Sequence, residues 1–314
     1  MKYRVLISCR QLQENFEPYR SLFEARGIEV EMPRVIQQLT EWELQEIIDR
    51  FDGVIAGDDQ FTAKVLDKAK RLKVISKWGI GVDAIDQCAA KRLGIRVCNT
   101  PNVFADEVAD VVLGYIILLS RKLHQLDQGV RNGEWKKIRG TSLRGKTLGV
   151  IGVGSIGQAV IRRAEACGMV CIGYDIARVT GAVSDASSVR MVEFGDLLET
   201  ANFISLNCNL TVSNYHMLGE REFARMKSGV CIINTARGKL IDEKALAGAI
   251  EEGKVAGAAL DVFEEEPLPA SSPLRELPNC ILGSHNSSNT VEAVERVNEL
   301  AVRNLLEGLD GSGS

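Results

Sequence analysis

Short apolar runs alternate with segments of helical period from one end of the chain to the other. The runs Tyr3–Cys9, Gly53–Ala56, Lys73–Lys77 and Arg96–Cys98 come first. Then follow Thr147–Ile151, Met169–Asp175, Phe203–Cys208, Val230–Asn234, Gly257–Val262 and Cys280–Gly283. Most are continuously apolar, as strands buried on both faces must be. Between them lie stretches such as Asp242–Glu252, where Leu246, Ala249 and Ile250 recur at helical spacing. Strands alternating with helices predict an α/β fold of two doubly wound parallel-sheet domains.

The runs fall into two groups. The first ends near residue 100, where Thr100-Pro101-Asn102 breaks the pattern and marks a crossover. A long helix is expected from Ala105 to Leu126, with the second group of strands beginning at Thr147. The last helical stretch, Val291–Glu307, has no strand after it and is expected to return to the first domain. Residues 1–100 with 288–314 therefore read as one domain and residues 101–287 as the other. Gly311-Ser-Gly-Ser314 reads as a disordered tail.

The length of 314 residues suits about two domains at roughly 150 residues each. A net charge of −4 argues against a general nucleic-acid or anionic-membrane surface, which needs clustered Lys and Arg. No run of about 18 apolar residues is present to span a membrane, and the N-terminal apolar run is too short for a signal peptide. The eight cysteines form no CxxC pair, and most lie in apolar runs such as Val170-Cys171-Ile172. They read as small buried hydrophobes in a reducing cytoplasm, with no metal site.

The strongest local motif is Gly152-Val-Gly154-Ser155-Ile156-Gly157. It follows an apolar strand and opens an amphipathic helix, and a second apolar strand ends in Asp175, 18 residues after Gly157. In such a loop Gly152 allows the tight turn, Gly154 lets the backbone approach a pyrophosphate, and Gly157 packs helix on strand. The helix N-terminus, at Ser155 and Ile156, offers free N–H groups to that pyrophosphate. A carboxylate at Asp175 accepts from the ribose 2′-hydroxyl and repels a 2′-phosphate, which favours NAD over NADP, although Arg178 lies close by.

Hydride transfer to a carbonyl needs a proton donor at its oxygen and a cation on the substrate carboxylate. The chain has three histidines. His124 falls late in the expected long helix, on the surface or facing a second copy, and His216 in a loop or helix start. His285 follows the strand Cys280–Gly283, and reactive groups in open α/β sheets lie at the carboxyl ends of strands. Two further strands end in charged residues: Asn234-Thr235-Ala236-Arg237-Gly238 and Asp261-Val-Phe-Glu264-Glu265-Glu266-Pro267. Arginine presents a rigid fork that fits a carboxylate, and a carboxylate beside a histidine favours the imidazolium.

These motifs, with Gly79-Ile80-Gly81-Val-Asp83-Ala-Ile-Asp86, Asn99-Thr-Pro101 and Gly133-Glu-Trp135, cover nearly the whole chain. Together they resemble the D-2-hydroxyacid dehydrogenase family, on the branch of phosphoglycerate dehydrogenases. The resemblance implies a Rossmann-type cofactor domain inserted in a flavodoxin-like substrate domain, and a homodimer through the cofactor domain. It implies that Arg237 binds the substrate carboxylate and carbonyl, that His285 is the acid/base, and that Glu266 pairs with it. Asp261 would hold the nicotinamide carboxamide, Asn209 would lie near the nicotinamide ribose, and Thr235 and Ala236 would line the cofactor. Backbone amides at Ile80 and Gly81 would hold the substrate carboxylate. The chain departs from the family at Asn207 and Asn209, where His and Pro are frequent, and at Ser284, where Pro is frequent.

The expected activity is an NAD-dependent transfer of hydride between nicotinamide and C2 of a small D-2-hydroxy or 2-oxo acid. One alternative is 3-phosphoglycerate dehydrogenase, without the C-terminal domain through which some of those enzymes feel amino-acid feedback. A formate or phosphite dehydrogenase shares the fold and the Arg/Glu/His set. An NAD-sensing scaffold of the corepressor type is the alternative of another class. A phosphorylated substrate needs a cation, yet the stretch Ala56-Gly57-Asp58-Asp59 carries two acids where phosphoglycerate dehydrogenases commonly place an arginine. Asp58 and Asp59 either accept from substrate hydroxyls or cap the helix that starts near Thr62. Lys77 and Arg10 remain as possible sources of the missing charge.

Overall fold

The computed structural model describes residues 2–176 and 189–311; Arg178 and Ser312–Ser314 lie outside the described residues. The chain divides into two compact units, Met1–Val103 with Asn289–Ser314, and Phe104–Ser288.

The first unit holds five parallel strands: β1 (Tyr3–Ile7), β2 (Ile28–Glu31), β3 (Gly53–Ala56), β4 (Val74–Lys77) and β5 (Arg96–Cys98). Their order, β2-β1-β3-β4-β5, is that of flavodoxin-like sheets. The sequence pattern misses β2, because Ile-Glu-Val-Glu alternates and the strand lies at the sheet edge, where half its side chains meet water. The helix Val291–Asp310 covers β3 and β4. Thr290 caps its first turn, accepting from the Ala293 amide at 3.1 Å. Val297, Ala301 and Leu305 are fully or nearly fully buried. Burial of a side chain such as Val297 or Leu305 contributes about 1.5–3 kcal/mol relative to exposure. Two polar contacts fix the register: Ser76 Oγ donates to Ala301 O at 2.8 Å, and Trp78 Nε1 to Asn298 Oδ1 at 2.7 Å.

The second unit holds seven parallel strands: β6 (Thr147–Ile151), β7 (Val170–Tyr174), β8 (Arg190–Met191), β9 (Phe203–Leu206), β10 (Val230–Asn234), β11 (Val255–Leu260) and β12 (Cys280–Leu282). Their order, β12-β11-β10-β9-β6-β7-β8, reverses between β6 and β9, as in Rossmann sheets. Apolar clusters cover both faces, which is why these strands read as unbroken apolar runs. No helix among the described residues is long and apolar enough to cross a membrane.

Three expectations are corrected by the structure. The helix from Ala105 does not continue to Leu126. It ends at Arg121, Lys122 turns left-handed at φ +53°, and a second helix runs over Leu123–Arg131. His124 belongs to that second helix and is not a plain surface residue, since both ring nitrogens are buried without a hydrogen-bond partner. All eight cysteines are free, but only Cys9, Cys171 and Cys231 are buried; Cys98, Cys167, Cys208 and Cys280 are half-buried and Cys88 is exposed.

Candidate active site

The glycine loop joins β6 to the helix Ser155–Ala166. Gly157 lies so close to the Gly152 carbonyl oxygen that any Cβ there would collide with it, whereas a Cβ on Gly154 would meet nothing within 4 Å. One glycine is therefore required by helix-to-strand packing, and the other leaves an open approach to the amides of Ser155 and Ile156 at the helix start. Asp175 follows β7, and its Oδ2 accepts from the Val153 amide at 2.8 Å. That bond ties the acid to the glycine loop itself.

The strand ends of the same sheet carry the charged residues. After β10, Asn234 shapes the turn: its Nδ2 donates to Arg237 O at 2.8 Å, and its Oδ1 accepts from the Ala236 amide at 3.0 Å. Arg237 Nη1 donates to Ala236 O at 2.7 Å. Gly238 is buried against the backbone of the next loop, where a Cβ would collide with the carbonyl group of Phe263. That close approach locks the arginine turn to the acidic turn after β11.

In the acidic turn, Glu266 Oε1 accepts from the Phe263 amide at 3.0 Å. Its other oxygen, Oε2, lies 2.8 Å from His285 Nδ1. His285 follows β12 in a left-handed conformation, φ +55°, and its amide donates to Asp261 O at 2.7 Å. Asp261 is 2% exposed, and its Oδ2 accepts from both the amide (2.8 Å) and the hydroxyl of Ser287. The Asp261 carboxylate thus clamps the turn that presents His285. With the Nδ1 side engaged by Glu266, the imidazole presents Nε2 as its reactive edge.

Other predicted residues sit nearby in sequence order. Thr235 and Ala236 form the turn before Arg237, and the Thr235 hydroxyl is buried with no hydrogen-bond partner. Asn209 is exposed after β9, and its carbonyl accepts from Asn214 Nδ2 at 2.8 Å. An open Gly154 and an unpartnered Thr235 hydroxyl at the carboxyl end of one sheet fit a dinucleotide with phosphate and hydroxyl groups to place. No cluster of His, Cys, Asp or Glu that could hold a metal ion is found among the described residues.

In the first unit, Ile80 and Gly81 follow β4 in a turn held by Asn99 and Thr100. Asn99 Nδ2 donates to Ile80 O at 2.7 Å, and the Gly79 amide donates to Thr100 Oγ1 at 3.0 Å. Among the described residues the amides of Ile80 and Gly81 have no protein acceptor. Asp58 and Asp59 do not cap the helix Ala63–Lys68, whose N-cap is Thr62. Asp59 is 1% exposed and accepts from Ser8 Oγ and from the amides of Leu39 (2.7 Å) and Gly57 (2.9 Å), so it staples three loops. Burial pushes its carboxyl up, an effect its hydrogen bonds from Ser8 and Leu39 oppose. Asp58 faces Lys77 Nζ at 3.0 Å, and Arg10 pairs with Glu14 on the surface.

Sequence reading missed Asn234, Ser287 and the Phe263 amide, all of which aim charged groups rather than carry charge. It also missed Tyr115, which Asp261 and, above all, burial push up to about 12. The signal for Ser287 and Asn234 was a small polar residue at a strand end, too common a feature to single out.

A sequence profile described as D-isomer specific 2-hydroxyacid dehydrogenase, NAD binding domain, matches residues 113–287. A glyoxylate reductase of Thermofilum pendens is 39% identical over 81% of this chain and 76% of its own length. A D-3-phosphoglycerate dehydrogenase of Methanocaldococcus jannaschii is 41% identical over 90% of this chain but only 54% of its own length. The crystal structure of D-lactate dehydrogenase from Aquifex aeolicus, complexed with NAD and lactic acid, superposes with a TM-score of 0.88. It covers 98% of this chain and 96% of that one at 26% identity.

Proposed function

This chain belongs to the D-isomer specific 2-hydroxyacid dehydrogenase family, and from that premise we propose how its residues divide the work. The reaction class is that of an NAD-dependent oxidoreductase acting between a 2-hydroxy acid and its 2-oxo acid. NAD, when bound, supplies or takes up the hydride at C2. The observation that carries the residue assignment is the 2.8 Å contact of His285 Nδ1 with Glu266, beside the turn of Arg237. His285 delivers a proton from Nε2 to the carbonyl oxygen during reduction and removes it during oxidation. Glu266 fixes the ring and balances the imidazolium. Arg237 holds the substrate carboxylate and polarises the carbonyl. Asp261, held in place by Ser287, would hold the nicotinamide carboxamide. The amides of Ile80 and Gly81 serve the substrate carboxylate. A panel of 2-oxo acids with NADH, followed at the nicotinamide absorbance, tests the assignment; no turnover of any of them would leave the scaffold reading.

Asp175 sets the cofactor preference. Its carboxylate is tied to the glycine loop through Val153, so it cannot swing away from a 2′-phosphate without breaking that bond. NAD is expected to be used in preference to NADP, and Asp175→Ser to narrow the gap in kcat/KM. Equal use of both by the unaltered enzyme would remove this role.

We assign the substrate to the unphosphorylated 2-oxo acids, glyoxylate and hydroxypyruvate among them. Lys77 and Arg10, the two cations weighed for a phosphate, are both paired with carboxylates. Desolvating a phosphate without a cation is costly. The kcat/KM for glyoxylate or hydroxypyruvate is expected to exceed that for 3-phosphohydroxypyruvate. A tenfold advantage for the phosphorylated acid would make the chain a 3-phosphoglycerate dehydrogenase.

We also infer a homodimer through the cofactor domain. On the helix Ala105–Arg121, Val108, Val112, Ile116 and Leu119 are buried in the chain itself. Val111, Leu113, Ile117 and Leu118 stay half-buried on the same helix, and Trp135 is 86% exposed. Sedimentation at micromolar concentration should give a dimer; a monomer alone would refute it. The eight free thiols fit a reducing cytoplasm.

A further inference from the structure

The second unit contains another histidine surrounded by carboxylates, one turn away from the proposed acid/base pair. His216 Nε2 lies 3.0 Å from Glu264 Oε2, and His216 Nδ1 lies 3.9 Å from Asp242 Oδ2. The approach of Nε2 to Glu264 is too oblique for a hydrogen bond, so the contact is an ion pair, attractive when the ring carries its proton. Glu264 is in turn clamped to Glu243. The Glu264 amide donates to Glu243 Oε1 at 2.6 Å, and the Glu243 amide donates to Glu264 Oε1 at 2.9 Å. The His216 amide donates to Lys239 O at 2.9 Å, two residues beyond Arg237. His216 therefore touches the arginine turn through its backbone and the acidic turn through its ring.

We propose that His216 is a positioning residue for the reaction: through its contact with Glu264, and the charge it brings there when protonated, it fixes the loop that carries Glu266. Three observations support this. Gly238 packs directly on the backbone at Phe263, so the two turns His216 bridges already share a contact surface and move together. Glu264 is two residues from Glu266 and directly follows Phe263, whose amide donates to Glu266 Oε1, so a displacement of Glu264 reaches the carboxylate that holds His285. The carboxylates also sense one another. Burial raises the Glu243 carboxyl, Glu264 and Glu266 add to that rise, and the Glu264 amide and the charge of His216 oppose it. The groups facing His216 are Glu264, Asp242 and the Tyr215 ring stacked on it at 4.0 Å, with Glu243 and Glu266 behind Glu264. His216 lies among these four carboxylates, on the far side of Glu264 from Glu266, and its charge is placed to alter the potential felt at His285.

The sign follows from charge alone. Removing the positive charge of His216 leaves Glu266 and its surroundings more negative, which favours the His285 imidazolium and keeps it protonated to higher pH. Removing the negative charge of Glu264 does the reverse. His216→Asn is the suitable variant, because His216 is left-handed, φ +50°, and Asn tolerates that backbone. Glu264→Gln keeps the shape of its partner. The proposal rests on the roles given above to His285 and Glu266, and the measurement is chosen to be independent of turnover. The chain has only three histidines, so the His285 ring can be followed by NMR during a pH titration. Its midpoint should rise in His216→Asn and fall in Glu264→Gln, each by roughly half a pH unit, and return towards the parent value in the double variant. The alkaline limb of glyoxylate reduction should move in the same directions, with the KM for NADH unchanged. Superposable titrations, or shifts of the same sign in both single variants, would overturn the proposal. Opposite shifts in a protein that reduces no 2-oxo acid would keep the coupling and discard the assigned reaction instead.

Discussion

His285→Gln is expected to lower kcat for 2-oxo acid reduction by on the order of 10²–10⁴, the usual worth of a positioned acid/base. Glutamine fills similar space and can still face Glu266 through its amide nitrogen, so the turn should persist. The variant cannot carry a proton to the carbonyl oxygen. The backbone contacts that present residue 285, its amide on Asp261 O and the Ser287 clamp on Asp261, do not involve the imidazole. NADH affinity should therefore change little, since the glycine loop and Asp175 follow β6 and β7. Stopped-flow reduction with NADH at saturating acid measures the effect. A variant with full kcat would end the assignment of His285.

Arg237→Ala is expected to lower kcat/KM by on the order of 10²–10³, from loss of a preorganised donor at the developing oxyanion and of the charge opposite the carboxylate. Both constants should move, KM upward and kcat downward, because one guanidinium serves ground state and transition state alike. Arg237→Lys should recover only part of the loss. Lysine keeps the charge but gives a single ammonium in place of the planar fork, and it forfeits the bond from Nη1 to Ala236 O that orients the arginine. Steady-state kinetics on both variants decides this. A change in KM alone, with kcat intact, would confine Arg237 to carboxylate binding.

Much of this was readable from order along the chain. A strand buried on both faces must be apolar throughout, so ten of the strands announced themselves, while the edge strand β2 and the two-residue β8 did not. The glycine loop was legible from its spacing between a strand and a helix: Gly152 and Gly157 answer local steric demands, and Gly154 leaves the approach to the helix start open. The strand-end places of His285, Arg237 and the acids Glu264–Glu266 were legible because strands of an open sheet end where reactive groups commonly stand, whereas only the family resemblance singled out Glu266 among the three acids. Tertiary structure alone decided matters that depend on partners distant in sequence. Asp59 looked free to meet a substrate and is instead buried under Ser8, Leu39 and Gly57. Lys77 looked available and is taken by Asp58. The long helix breaks at Lys122, though no Gly or Pro marks the place. His216 read as a loop residue until Glu264 and Asp242 arrived beside it from 48 and 26 positions away. Periodicity and turn chemistry are local and are written in the chain. The pairing of charges and the burial of an acid depend on which loops the sheet order brings together, and only the folded chain sets that order.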